Sequence, residues 1–186
     1  MYELKRTQAR AAFKDLLGQA NHFLITILIG LNGVRLGKVA HDPEFHAAWN
    51  PRDITASADR SRMFVLDLAL VRAVDALDSY MMMSRRAPSA LGSIAFASEM
   101  DGTGRSVLKR LDVFLGHVET IPAEHASFAR LAIAWRNKKV HSLSEDNLLE
   151  DDERALRGKA ESLASEFRGL SIRDVLDRFK AGTPPL

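Results

Sequence analysis

Apolar residues recur along this chain at helical spacing almost from end to end, and that single period decides what it can fold into. Phe13, Leu16, Leu17, Ala20, Phe23, Leu24, Ile27, Leu28 and Leu31 follow one another at such steps and predict a first helix from Tyr2 to about Leu31. Gly33 and Gly37 are read as its stop, followed by a loop with Pro43 and Pro51 in which Phe45 and Trp49 anchor packing. A second long helix is expected to start between Asp53 and Asp59 and to reach about Arg86. Its stripe through Met63, Leu66, Leu70, Val74, Leu77 and Met81 is widened by Phe64, Leu68 and Val71, as for a helix held between several neighbours. Pro88 and the small residues from Ser89 to Ser98 read as a connector, and Asp101-Gly102-Thr103-Gly104 as a turn. That turn lacks the Lys-Ser/Thr ending of a phosphate-binding loop.

Shorter helices are expected beyond. One spans Arg105 to about His117. Another starts beside Pro122 and runs, strongly amphipathic, through Phe128, Leu131, Ala132 and Trp135 to His141. A further helix, Leu148 to Phe167, is expected to take Ser144 or Asn147 as its cap. Gly169 ends it, Ser171-Ile172-Arg173-Asp174 reads as a capping box for a last short helix, and Gly182 with Pro184 and Pro185 closes the chain. No strand is required. The expectation is an all-α fold, a single helical bundle of about five to six helices over residues 1–186.

Composition narrows the function. With 186 residues, 46% hydrophobic and 27% charged, the chain has the makings of one well-buried core. Cysteine is absent, which excludes disulfides, thiolate nucleophiles and cysteine-held zinc, and fits a reducing compartment. Met1 to Arg6 opens an amphipathic stretch and not a signal peptide, and the apolar run Phe23–Leu31, interrupted by Thr26 and Gly30, is too short to span a bilayer. A cytoplasmic protein without membrane partners is expected. A net charge of +2 does not draw a protein onto nucleic acid in bulk. Charge is local: Arg130, Arg136, Lys138 and Lys139 form a basic stretch, and acids follow from Glu145 to Glu153, each block read as a solvated helix face.

Chemistry concentrates in Arg136-Asn137-Lys138-Lys139-Val140-His141. Within about two helical turns it gathers a permanently charged guanidinium, an amide and an imidazole, the side-chain class that changes charge near neutral pH. An arginine followed at short distance by histidine is not informative alone, since Arg35 to His41 and Arg110 to His117 repeat it. Asn137, directly after the arginine, sets the third instance apart. The plain alternative is structural: Arg136 pairs with Asp67 or Asp75 on the long helix, and His141 caps a helix end. Asp78 lies on the same helix. His41, His46, His117 and His125 have no carboxylate spacing that makes a metal site, and Met81-Met82-Met83 reads as core or interface filler.

The Arg136-Asn137…His141 pattern, late in an all-helical chain, resembles the HEPN family, whose signature is arginine, a polar residue and a histidine a few positions on. The resemblance covers most of the chain in helical order and six residues in motif. It implies a metal-independent endoribonuclease without cofactor, a homodimer that brings two motifs together, and a toxin–antitoxin or antiviral-defence setting with a cognate antitoxin or defence partner. Arg136 and His141 would be catalytic, Asn137 the polar accessory, and Lys138 and Lys139 phosphate contacts on RNA. One subgroup carries a tyrosine four residues after the histidine; here Glu145 stands there, so regulation through that tyrosine is not implied. In an ideal helix Arg136 points roughly 140° away from His141, which favours a site shared between two copies. A silent RNA- or nucleotide-binding module, or a helical interaction partner, is the other expectation.

Overall fold

The computed structural model describes residues 8–39, 51–86, 93–118, 121–141, 147–168 and 170–182. Among them no strand occurs, and eight helices follow in order: α1 Gln8–Arg35, α2 Ile54–Ser84, α3 Ile94–Gly102, α4 Val107–Gly116, α5 Ala123–Val140, α6 Glu150–Gly158, α7 Ala160–Glu166 and α8 Ile172–Ala181. The all-α expectation holds. The helix number does not, for two local reasons. The segment read as a connector contains α3, which Ser93 starts by accepting the Phe96 N–H at 3.1 Å; small residues had masked the inward-facing Phe96 and Met100. The single helix expected from Leu148 to Phe167 is broken at Lys159, after Gly158 has ended α6.

Most helix ends show the chemistry that sets them. Asp53, Ser106 and Ser171 accept the N–H three residues ahead at 2.9, 3.3 and 3.2 Å, so the last cap falls where the Ser171–Asp174 pattern places it. No side chain caps α6, and Asn147 does not serve; Ser144 lies outside the described residues. Glu150, Asp151, Asp152 and Glu153 in its first turn complement the helix dipole instead. Gly33 does not stop α1. The helix continues to Arg35 and closes with Gly37 N–H on the Val34 carbonyl and Lys38 N–H on Gly33, with Gly37 at φ 63°. Gly33 has another reason to be glycine: a Cβ there would sit 2.7 Å from Val39 Cγ2.

Packing divides the molecule. One buried cluster joins Val74 and Met81 of α2, Phe96 and Met100 of α3, Leu111 and Phe114 of α4, and Ile133 of α5. A second joins Leu131, Ala134 and Trp135 of α5 to Leu156, Leu163 and the α8 residues Ile172, Val175, Leu176 and Phe179. Helix α5 therefore has no single apolar face, contrary to the amphipathic expectation: neighbours cover it on both sides. Leu70 touches both clusters. Helix α1 packs along α2, registered by the rings of Phe13 and Tyr80 at 5.4 Å, and buries only Ala9 fully. It is also long and apolar enough, by length and composition, to cross a membrane, a property hidden when the run Phe23–Leu31 is taken alone.

Candidate functional site

The basic hexapeptide lies at the exit of α5, where the helix leaves the core and faces the middle of α2. Three aspartates on α2 make a seam there. Asp67, Asp75 and Asp78 recur at steps of eight and three residues, so they share one broad side of the helix. Each holds a cation from another helix. Asp78 accepts both Nη1 contacts of Arg110 at 2.5 and 2.6 Å, while Arg110 Nη2 reaches the Gly104 carbonyl. Asp75 Oδ1 receives Arg136 Nη2 at 3.4 Å, and Asp67 Oδ2 faces Lys139 Nζ at 3.3 Å.

Arg136 and Asn137 touch: Arg136 Nη1 donates to Asn137 Oδ1 at 3.1 Å. The guanidinium is thus held on two sides, by a carboxylate and by an amide, with its side chain 20% exposed. Its Nε is buried without a hydrogen-bond partner among the described residues. Lys139 also donates to the Gly182 carbonyl at 2.8 Å, which ties the end of α5 to the end of α8. Lys138 points to the other side. Its ammonium stands 4.2 Å over the ring of Phe179, in a shallow cleft of about 250 Å³ that Asn147, Glu153 and Lys180 also line. The two lysines expected to grip phosphate therefore do not share a face.

His141 is the C-cap of α5. Its N–H closes the last turn on the Asn137 carbonyl at 2.8 Å, and its backbone turns extended at φ −116° and ψ 102°. The imidazole is exposed and has no hydrogen-bond partner among the described residues. Because the helix ends at Val140, the ideal-helix separation of roughly 140° from Arg136 does not apply to this residue. The structural alternative also has its contacts: Arg136 does pair with Asp75, and His141 does sit at a helix end.

Other expectations resolve similarly. His117 Nε2 meets Glu99 at 3.0 Å at the end of α4, and His125 Nε2 lies 3.1 Å from both carboxylate oxygens of Glu166. Met81 is fully buried in the core, as filler. Phe45, Trp49, His41, His46 and Glu145 lie outside the described residues. No group of three histidine or acidic side chains converges to hold a metal among the described residues.

One polar cluster escaped the sequence. Ser127 Oγ donates to Asp152 Oδ1 at 2.7 Å, Arg130 Nη1 reaches the same oxygen at 3.2 Å, and Arg130 Nη2 reaches Asp112 at 2.9 Å. Burial opposes the charge on Arg130, but the hydrogen bonds and field of Asp112 and Asp152 outweigh it and raise its pKa. Asp152 is thus no part of a solvated acidic face. The signal was its spacing to Leu156, one turn on and fully buried. Its neighbour Glu153 behaves as a surface acid: hydrogen bonds from Lys180 and Arg157 lower its pKa.

Comparison with protein-family models, curated proteins and solved structures finds no match for this chain.

Proposed function

We propose that the chain is a metal-independent endoribonuclease of the HEPN type, acting as a homodimer in a toxin–antitoxin or antiviral-defence role. The observation that carries this reading is the Arg136–Asn137 contact of 3.1 Å one helical turn before the exposed imidazole of His141. A guanidinium held on two sides offers fixed charge to a phosphate, and an exposed imidazole offers proton transfer. In the reaction the RNA 2′-oxygen attacks the adjacent phosphorus. The bond to the 5′-oxygen breaks, leaving a 2′,3′-cyclic phosphate and a free 5′-hydroxyl. One His141 takes the 2′-hydroxyl proton as general base, and water gives a proton to the departing 5′-oxygen. Arg136 stabilises the negative charge that builds on the phosphorane, and Asn137 with Asp75 positions the guanidinium. DNA, lacking the 2′-hydroxyl, resists.

The test is incubation of purified protein with RNA in EDTA. Wild type cuts RNA and leaves DNA intact, and His141→Ala slows cleavage at least ~100-fold, the lower end of what general acid–base groups contribute. A second reading, a silent RNA- or nucleotide-binding module, draws on the carboxylates that face Arg136 and Lys139 and neutralise much of the charge a phosphate would meet. RNA left intact by wild type but retained on it in a filter-binding assay gives preference to that reading.

A further inference from the structure

Helix α1 packs along one side of α2, and with the N-terminal half of α2 it forms an arm. Tyr80, whose ring meets Phe13 of α1, marks that side of α2. Phe64 lies about 160° round the helix from Tyr80 and so points away from α1. On this outer side Arg60, Phe64, Leu68 and Arg72 recur at steps of four residues, one above the other in a single row. All four are exposed, Phe64 to 70% and Leu68 to 48%. From Arg60 to Arg72 the row rises about 18 Å along the helix. Among the described residues neither arginine pairs with an acid.

The row runs beside the candidate site. Three residues on from Phe64, Leu68 and Arg72 stand Asp67, Val71 and Asp75, which make the adjacent row of α2. That second row receives Lys139 on Asp67 and Arg136 on Asp75, so both of its carboxylates face a cation from α5. The surface left open along α2 is cationic at both ends and apolar between, one row away from the Arg136 guanidinium.

We propose that this row is a track for the RNA strand: a base stacks on the Phe64 ring with Leu68 beside it, and Arg60 and Arg72 contact phosphates on either side. An exposed ring bracketed by cations suits unpaired nucleotides, because every base has a face to stack and every linkage carries a negative charge. A protein partner fits less well. Two apolar side chains supply a small part of the about 800 Å² that each side of a standard protein interface buries. The track rests on the ribonuclease reading and names the form of its substrate, a strand with unpaired bases, since bases in a duplex keep their faces against one another.

Fluorescence anisotropy with a labelled single-stranded RNA in EDTA tests it, on the 186-residue chain carrying His141→Ala so that the RNA stays whole. Phe64→Ala in that background weakens binding roughly 5- to 100-fold, the weight of one stacked base. Phe64→Trp keeps the affinity, and Phe64→Leu, apolar but without an aromatic face, binds as poorly as Phe64→Ala. Arg60→Ala and Arg72→Ala each lower the slope of log affinity against log salt by about 0.7, one phosphate contact on a single strand. Circular dichroism of every variant stays at the parent's helix content. Equal affinity of Phe64→Ala and its parent overturns the proposal, as does Phe64→Leu that binds like the parent, or a salt slope that neither arginine variant changes. A parent at twice 20.6 kDa in sedimentation equilibrium, with Phe64→Ala at 20.6 kDa, overturns it in favour of a second copy on this face. Track and nuclease fail separately. RNA held through Phe64 by a wild type that cuts none keeps the track and removes the nuclease. Cleavage that Phe64→Ala leaves unchanged in KM and kcat removes the track and keeps the nuclease.

Discussion

The arm and the C-terminal body are both helical, yet they spend their apolar residues in opposite ways. Helix α1 has 28 residues and buries one of them, Ala9. Helix α8 has 10, carries Arg173, Asp174, Asp177, Arg178 and Lys180, and buries four: Ile172, Val175, Leu176 and Phe179. Hydrophobic content alone would rank them the other way. What decides burial is the number of neighbours: α8 lies against α6 and α7 with α5 beneath, whereas α1 has α2 along one side. Among the described residues, the apolar side chains of α1 that face away from α2 have no helix over them.

That contrast can be broken by substitution. The largest effect is expected in the body-side core: Phe96→Ala, at a fully buried ring, costs about 3–5 kcal/mol. Phe64→Ala in the arm changes monomer stability by less than about 0.5 kcal/mol. Urea denaturation of both variants, at a concentration where the chain is monomeric, gives the comparison directly. Asp152→Ala comes next, at about 1–3 kcal/mol, because it leaves the buried Ser127 hydroxyl without its acceptor and Arg130 with Asp112 alone. Ser171→Ala removes the cap of α8 and lowers stability by about 1 kcal/mol in the same assay.

The smallest effect is a pH dependence. Lys180 and Arg157 lower the folded-state pKa of Glu153, so the unfolded chain binds that proton at the higher pH. The contribution is complete above the ordinary glutamate value of about 4.3 and disappears as pH falls through the lowered folded value. Lys180→Met removes the first-named partner. The loss of thermal stability between about pH 6 and about pH 3 should then be shallower than in wild type. An unchanged slope would leave the Lys180–Glu153 contact of 2.9 Å without energetic weight.

Much of the fold was legible because period 3.6 and capping residues act locally. Asp53 and Ser171 cap where their sequence context indicates, and α2 spans nearly the expected range. Legibility failed where tertiary neighbours decide. Small residues around Phe96 hid α3, and α5 looked one-sided because a sequence cannot show that Ile133 and Trp135 enter different clusters. The site was half legible. Asp75 was foreseen as a partner of Arg136, whereas Asp67, the other candidate, faces Lys139 instead, and the Arg136–Asn137 contact joins two residues that the motif singles out. That Lys138 would turn to Phe179 and Lys139 to Asp67 depends on where α8 and α2 pass, which no spacing within six residues encodes.

The central claim, a ribonuclease site shared by two copies, is tested most directly by complementation. Arg136→Ala and His141→Ala are each purified, each assayed on RNA in EDTA, then mixed, allowed to exchange and assayed again. Random re-pairing makes about half of the dimers mixed, with one intact Arg136 and one intact His141 beside the same groove. The account predicts that each variant alone is inactive and that the mixture regains cleavage. A mixture as inactive as its parts, beside an active wild type, would contradict it.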